Sequence, residues 1–520
     1  MPPVLAVAAI AVALHPHAQG SRVWRPEHRS VVSDFSTVDA LAVSESHLFV
    51  ATPNGLAIYD RRFHRWDAPA TVVDGYPTER VNAVLADPAD ESVWLATRNG
   101  LTKYRPAFRQ FESMIVPGGV QELLYDGDDP FNGIYLRGRT GWAFLARGSF
   151  IPAPSRNLPP PGRRRGSMSV EAVLAAQPVA DAMRASVLTD DRLRTYRYTS
   201  AARAPIVGDY YLGTDGFGVV HLDPLTAQLE RVPFGLLDQG VGAVVTVPGG
   251  VWVGTDHRSR RSGFTFVDDD LQRFETVQGP RATGLGFNGV RALMGREHEV
   301  WAATDAGVVV FGPDGGTRRL GTSQGLPDRD TYALAQGPSG VWVGTAFGLA
   351  FFPAGGVGAS AGQTRVPVLA LSAARDTVWV GTTSGLAMAA PGSDLLVPTE
   401  VASNVDLTVA IVAVTHAADT VVAASIDRIV WRAPAGTWQV ERLVSSDIGP
   451  IFALAGDRGG VWIGAQGGIA FYRFRQRDYQ IFRAPADVPG SVRGLVVAGP
   501  YLWVATETGL VRFAREALLP

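Results

Sequence analysis

The chain has no cysteine and a single lysine, Lys103. The first absence excludes disulfides, thiolate metal centres and cysteine nucleophiles. The second leaves arginine to carry the positive charge. Lys and Arg together number 47 against 49 Asp and Glu, a formal net charge of −2. No global basic field therefore exists to draw in nucleic acid or an anionic membrane, and neither is expected as a partner. No apolar stretch is long enough for a transmembrane span in the mature chain. The nine histidines form no His-x-x-x-His pair, so zinc has nothing local to stand on. What is present is ordinary for a globular chain: 46% hydrophobic residues and 18% charged. Its 520 residues can bury a large core, and 58 glycines point to many tight turns.

Pro3 to Leu14 is an uninterrupted apolar run followed by His15-Pro16-His17-Ala18-Gln19. Its length suits a signal-peptide core better than a membrane span, although no Lys or Arg precedes it. Residues 1–20 are therefore expected to act as an export leader, placing the protein in the periplasm or outside the cell.

Internal repetition decides the fold class. One pattern recurs about every 40 residues: an aromatic between aliphatics, Gly or Ala, Thr, two variable residues, Gly, and an aliphatic. Val93-Trp94-Leu95-Ala96-Thr97 with Gly100-Leu101 is a clear copy, and Val341-Trp342-Val343-Gly344-Thr345 with Gly348-Leu349 is another. Further copies centre on Trp301, Trp379, Trp462 and Trp503, weaker ones on Phe49 and Tyr135, and degenerate ones on Tyr211, Trp252 and Val422. A period near 40 residues matches one four-stranded propeller blade. The hairpin glycine supplies positive φ, and Gly or Ala after the Trp strand lets neighbouring sheets approach. Recurring at one strand position, the tryptophans read as packing between blades rather than as sugar platforms or a quinone cofactor. The fold expected is all-β: about eleven four-stranded blades in a propeller array.

These V-W-V-G-T-x-x-G-L units resemble two-component regulator propeller repeats, which occur in the periplasmic sensor regions of bacterial hybrid histidine kinases. The resemblance runs from about Val38 to Phe513, and eight of eleven copies keep the hairpin glycine at one offset. It implies a sensor-like binding role. No kinase or membrane-spanning output part is expected after Phe513. Eleven units exceed the 4 to 8 blades of one ring, so two packed propellers are expected. The last unit stops after its third strand, and Val23 to Val32 is placed to supply the fourth and remove an open edge.

The rhythm breaks once. The expected division is 21–152 for three blades, 153–205 for an insertion, and 206–520 for the remaining eight. The insertion pairs a stiff Pro159-Pro160-Pro161-Gly162 linker and Arg163-Arg164-Arg165 with a helix capped by Ser169, interrupted at Pro178 and running to Leu188. It reads as a docking element, a clamp between rings, or a surface excursion. Two enzyme signatures fail on context. Gly284-Leu285-Gly286-Phe287-Asn288-Gly289 matches a dinucleotide fingerprint but leads into a strand where a helix is needed. Gly321-Thr322-Ser323-Gln324-Gly325 matches a nucleophile elbow but is the turn between blades. Asp126-Gly127-Asp128-Asp129-Pro130 offers oxygen ligands for calcium, though an acidic turn explains it as well, and the same holds for Asp268-Asp269-Asp270. No metal and no cofactor is expected.

Function should rest on variable loops carried by the constant frame. The loop entering the first strand of a blade and the hairpin between its second and third strands open on one face. That face would carry Arg98, Asn99, Asp215, Asp256, Asp305, Phe347, Gln466 and Glu507 from hairpins, and Asn288, Arg329 and Asp330 from entering loops. The longest hairpin adds His257, Arg258, Arg260 and Arg261, a cluster suited to a carboxylate, sulfate or acidic glycan. The leading expectation is a non-enzymatic module binding a small molecule, glycan or protein. A lyase or hydrolase acting on a glycan or cyclic peptide, with a ring-mouth His beside a carboxylate, is the alternative. A subunit of a cell-surface assembly is a third.

Overall fold

In the computed structural model the described residues are 24–25, 27–149, 151–166, 168–172, 187–190, 192–205, 208–226, 228–279, 286–296, 298–312, 316–355, 360–362, 365–374, 377–390, 397–398, 407–434, 436–442 and 447–519. The apolar leader, the first two residues of the Gly284–Gly289 motif, and Pro178 lie outside them.

The described residues form eleven antiparallel sheets, nine of four strands and two of five. Each is a blade, numbered here along the chain: blade 1 spans 40–70, 2 spans 81–115, 3 spans 122–154, 4 spans 195–232, 5 spans 241–278, and 6 spans 290–320. Blades 7 to 11 span 331–362, 368–398, 413–441, 451–483 and 492–514. The inner strands of blades 5 to 11 touch in sequence and blade 11 returns to blade 5, so seven blades close one ring. Its last sheet is completed by Arg29–Val32, which pairs antiparallel with Gly509–Ala514 in the register Arg29↔Phe513 to Val32↔Leu510. The other four blades form a second array, in the order 4-1-2-3. The all-β propeller array is thus present, divided seven and four.

The repeated motif has local physical causes. The Trp strand is buried on both sides: Trp462 and Trp503 are fully inaccessible. A Cβ on Gly344 would lie 2.6 Å from Val368 Cγ1 of the next blade, and one on Gly464 2.6 Å from Val492 Cγ1. A larger residue there would push the sheets apart. The threonine that follows caps its own hairpin. Thr345 Oγ1 donates to Gly348 O at 2.9 Å, Thr382 to Gly385 O at 2.9 Å, and Thr506 to Gly509 O at 2.7 Å. Gly348, at φ 133°, holds a backbone conformation that a side chain would strain. Thr-x-x-Gly is therefore a hairpin that satisfies its buried hydroxyl internally.

The chain crosses between ring and array twice, at 33–39 outward and 233–240 on return. The crossings lie side by side: Leu236 N donates to Ser33 O at 2.9 Å, and Phe35 stacks on Phe234 at 5.2 Å. Trp66 of blade 1 stacks on Phe234 at 4.1 Å and donates through its indole to Pro233 O at 3.1 Å. Gln272 of blade 5 clasps the Trp66 backbone, accepting from its N–H and donating to its C=O, both at 2.9 Å. Arg29, almost fully buried, ties the ring to blade 1 with bonds to Ala486 O at 2.9 Å and Asp74 at 2.8 Å.

The excursion is shorter than 153–205. Ala153–Pro154 is the outer strand of blade 3 and Thr195–Arg203 the inner strand of blade 4. Between them Arg164–Gly166 adds to the inner edge of blade 3, and Met168 bridges Ala201 of blade 4, so this segment straps the ends of the four-blade array together. Ser169 Oγ accepts from Ala172 N at 3.1 Å at the start of a helical turn, and the expected continuation through Val173 and Leu174 lies outside the described residues. Leu188, expected in a helix, belongs instead to the strand Val187–Thr189, paired with Thr195–Arg197. Its β-branched neighbours favour that pairing over a helix.

Candidate ligand-binding site

The fifteen loop residues named from the sequence do not gather at one mouth. Arg98, Asn99 and Asp215 sit on the four-blade array. Asn99 donates to the Glu79 carboxylate, and Asp215 pairs with Arg197 at 3.1 Å. The other twelve are carried by the ring.

The arginine hairpin of blade 5 splits. Asp256 is buried and accepts from Arg258 N at 2.6 Å, while Asp238 accepts from the backbone of Arg260 and Arg261 at 3.0 and 3.2 Å. The guanidinium of Arg261 turns away to the crossing, donating to Asp34 at 2.5 Å and Ser36 Oγ at 2.9 Å. Arg260 is exposed, and Arg258 approaches Glu507 at 4.0 Å. The expected triple-arginine anion site is therefore not assembled. Arg261 is a structural link, because the buried aspartates that fold this hairpin aim it at the neighbouring array.

A signal inside the inner strands was missed. In six of the seven ring blades the register slips at the second residue of the inner strand: Gly242, Arg291, Tyr332, Leu369, Phe452 and Arg493 occupy these bulges. A bulge breaks the alternation of the strand and re-aims one side chain. Here it sets Arg291, Phe452 and Arg493 into the walls of two mouth cavities. The first, about 470 Å³, is lined by Asp256, His257, Asn288, Arg291, Asp305 and Arg493. The second, about 550 Å³, has Arg258, Phe452, Gln466, Ser491, Arg493 and Glu507 among its walls. Arg493 lines both.

Two arginines at the mouth are each flanked by an aromatic and a carboxylate. Arg493 lies 5.2 Å above Phe452 and 3.3 Å from Glu507. Arg291 lies 4.5 Å above Tyr332 and pairs with Asp330. Tyr332 donates to Asp330 at 2.9 Å, and burial followed by that neighbouring carboxylate pushes the phenol up from its ordinary range. Asp305 accepts from Asn288 twice, at 2.9 and 2.8 Å, bracing the entering loop against the hairpin of the same blade. Phe347, Arg329 and Gln466 are exposed on the same face. The mouth is rich in fixed hydrogen-bonding groups, and Arg291 and Arg493 are paired with carboxylates.

The other sequence motifs find structural roles. Gly321–Gly325 encloses a 3₁₀ turn, Thr322–Gln324, leading to the strand Thr331–Gly337, so no nucleophile elbow forms. Gly289 runs directly into the strand Val290–Arg296. Asp126 is clasped by Arg163 at 2.9 and 2.6 Å, and Asp128 by the same arginine at 3.0 Å. Asp268 caps its own turn, accepting from Gln272 N and Arg273 N at 2.7 and 2.8 Å. Among the described residues no cluster of three or more His, Asp or Glu is arranged to hold a metal ion. Among them, too, no helix is long and apolar enough to cross a membrane.

No family model and no curated protein matches the chain. Solved structures do. The extracellular domain of a putative hybrid two component system from B. thetaiotaomicron is 14% identical, with a TM-score of 0.43 over 92% of this chain and 68% of that one. A second such domain from the same organism is 13% identical with a TM-score of 0.44, over 92% and 70%. A catalytically inactive virginiamycin B lyase from Staphylococcus aureus with quinupristin is 15% identical, TM-score 0.44, over 54% and 97%. All three are distant. The assignment of the fold stands on the eleven sheets themselves.

Proposed function

We propose that the protein is an exported, non-enzymatic binding module whose ligand seats in the mouth of the seven-blade ring. The observation that carries this reading is the set of bulged inner-strand residues, which directs Arg291, Phe452 and Arg493 into two adjoining cavities. Their volumes fall within the range of small-molecule sites. Because Arg291 and Arg493 are paired with Asp330 and Glu507, a strongly anionic ligand would have to displace those partners. A small molecule or glycan of low net charge, rich in hydrogen-bonding groups, fits the paired walls better. Export rests on the apolar leader read from the sequence.

The test is a thermal-shift panel of neutral and acidic oligosaccharides against the wild type and Arg493→Ala. A ligand that stabilises the wild type and loses its effect in Arg493→Ala supports the reading. A ligand bound equally by both moves the site elsewhere. No shift with any member refutes a glycan site.

A second reading has one observation in its favour: exposed His257 lines the first cavity with Asp256 and Asp305, a base beside carboxylates. Turnover of a bound panel member that is lost in His257→Ala would make the mouth a lyase or hydrolase centre.

A further inference from the structure

Between blades 2 and 3 the propeller packing is incomplete. The repeat's tryptophan is buried at Trp301, Trp342, Trp379, Trp462 and Trp503, whereas Trp94 of blade 2, like Trp252 of blade 5, remains partly accessible. The gap is a cavity of about 130 Å³. Its floor is apolar: Trp94, Met114, Ile134 and Leu145. Its rim is charged, and built from both blades.

Lys103, the only lysine of the chain, lies 4.9 Å over the Trp94 ring, with Asp90 at 3.0 Å and Asp87 at 3.8 Å. Arg147 reaches across from blade 3 to Asp87 at 2.9 Å, and Arg105 pairs with Glu112 at 2.7 Å. Asp87 also accepts from the Trp94 indole at 3.2 Å. The walls carry Lys103, Arg105 and Arg147 against Asp87 and Glu112, and Asp90, just outside them, pairs with Lys103, so the formal charges around the cavity cancel. Arg105, Glu112 and Arg147 keep 39%, 34% and 38% of their side-chain exposure, whereas Asp87 and Lys103 keep 5% and 13%.

We infer that this cavity is a second binding site, for an α-amino acid with an apolar side chain. The volume is close to that of an apolar cavity known to hold a benzene-sized body, roughly 150 Å³. An isobutyl or benzyl group would cover the exposed part of Trp94 and remove it from water. The balanced rim selects the head group. A zwitterion lets its ammonium meet Glu112 while its carboxylate meets Arg105 or Arg147, the partly exposed groups of the rim, and adds no net charge to the site. An amine or an acid alone leaves one rim charge without a new partner and brings an uncompensated ion with it. The site is separate from the ring mouth and stands whether or not that reading holds.

The experiment is calorimetric titration of the full chain with L-leucine and L-phenylalanine, beside isoamylamine, 4-methylpentanoate and glycine. Binding of the two amino acids at least about tenfold tighter than either single-charge analogue is expected, with glycine inert, since each lost charge-assisted contact is worth about one decade. Glu112→Gln and Arg147→Gln, at partly exposed positions that need not disturb folding, should each weaken leucine several-fold. Leu145→Trp, which enlarges a floor residue into the cavity, should abolish it, and Arg493→Ala should leave it unchanged. Reductive methylation with an isotope label marks Lys103 alone among side chains, so its resonance should move on adding leucine. Failure of leucine and phenylalanine to bind at roughly 10 mM would overturn the assignment. So would equal binding of the amine or acid, or retention of binding in folded Leu145→Trp.

Discussion

Shortening two adjacent valines should damage two different parts of the molecule. Val31 and Val32 sit side by side in the closing strand, 3% and 1% exposed, but face opposite ways. Val31 packs among Trp462, Val504 and Phe513 within the ring, whereas Val32 packs with Phe35, Trp66 and Trp503 at the junction with blade 1. Each Val→Ala change removes two methyl groups, worth about 1.6 kcal/mol of transfer free energy. The cavity left in a close-packed site raises the cost to about 2–3 kcal/mol. With the side chains in separate clusters, the double variant should lose about 4–6 kcal/mol, close to the sum. Urea unfolding is the assay, followed by tryptophan fluorescence and by far-UV circular dichroism. A chain of this size need not unfold in one step, so the two probes are compared rather than pooled. Val31→Ala should lower the midpoint of the ring transition, and Val32→Ala should expose Trp66 at lower urea. If either single change moved stability by less than about 0.5 kcal/mol, Arg29–Val32 would not be closing the ring, and the reasoning would fail.

Arg29→Met should cost about 3–5 kcal/mol in the same assay, because it strands the Asp74 carboxylate and the Ala486 and Asp487 carbonyls that the guanidinium now satisfies. Gly464→Ala would place a methyl group against Val492 and should cost about 1–3 kcal/mol by forcing blades 10 and 11 apart, measured as a fall in urea midpoint. The contact between blades 1 and 2 should depend on pH. Ser44 and Ser46 donate to Glu91 at 2.5 and 2.7 Å, and His47 lies between Glu91 at 3.5 Å and Asp67 at 3.7 Å. Burial alone would raise the Glu91 carboxyl, but hydrogen bonds from His47, Ser44 and Ser46 outweigh it and hold the group at about 2. Its contribution is thus full above its ordinary value of 4.5 and fades as pH falls from there toward 2. His47 is raised, chiefly by its bond to Glu91, so its contribution is full below its ordinary 6.5 and fades as pH rises through the folded value. The melting temperature should therefore peak between pH 4.5 and 6.5, and Glu91→Gln should flatten both flanks.

The blade was legible in the sequence because its constraints are local. Trp between aliphatics, a small residue, Thr, and Gly at a fixed offset each serve one hairpin or one contact with the next sheet, and they recur with it. The partition into seven and four was not legible, since near-identical units carry no record of which neighbours they touch. That choice lies in residues outside the repeat, such as Phe35, Phe234 and Gln272, whose partners are far away in sequence. The site divided in the same manner. Hairpin residues such as Asp305, Gln466 and Glu507 were visible as variable positions at the ring face. Arg291, Tyr332, Phe452 and Arg493 sit within runs that read as plain strand, and only the slip of register turns them outward. A usable signal existed: each is the middle residue of an aliphatic-or-Thr, variable, Ala-or-Gly triplet that opens an inner strand.

The paired crossings at 33–39 and 233–240 also determine how the two arrays can move. A single linker would leave the four-blade array free to swivel about the chain. Two parallel tethers, bonded to each other between Leu236 and Ser33, behave as the two knuckles of a door hinge. Torsion about a single chain is thereby opposed, and the buried packing of Trp66, Phe35 and Trp503 holds the junction. Gln272 gripping the Trp66 backbone ties the ring to blade 1, and Arg261 gripping Asp34 fixes one tether to the ring. Relative motion of the arrays would have to release these bonds, the Arg29–Asp74 pair and the packing of Val32, Trp66 and Trp503 at the junction.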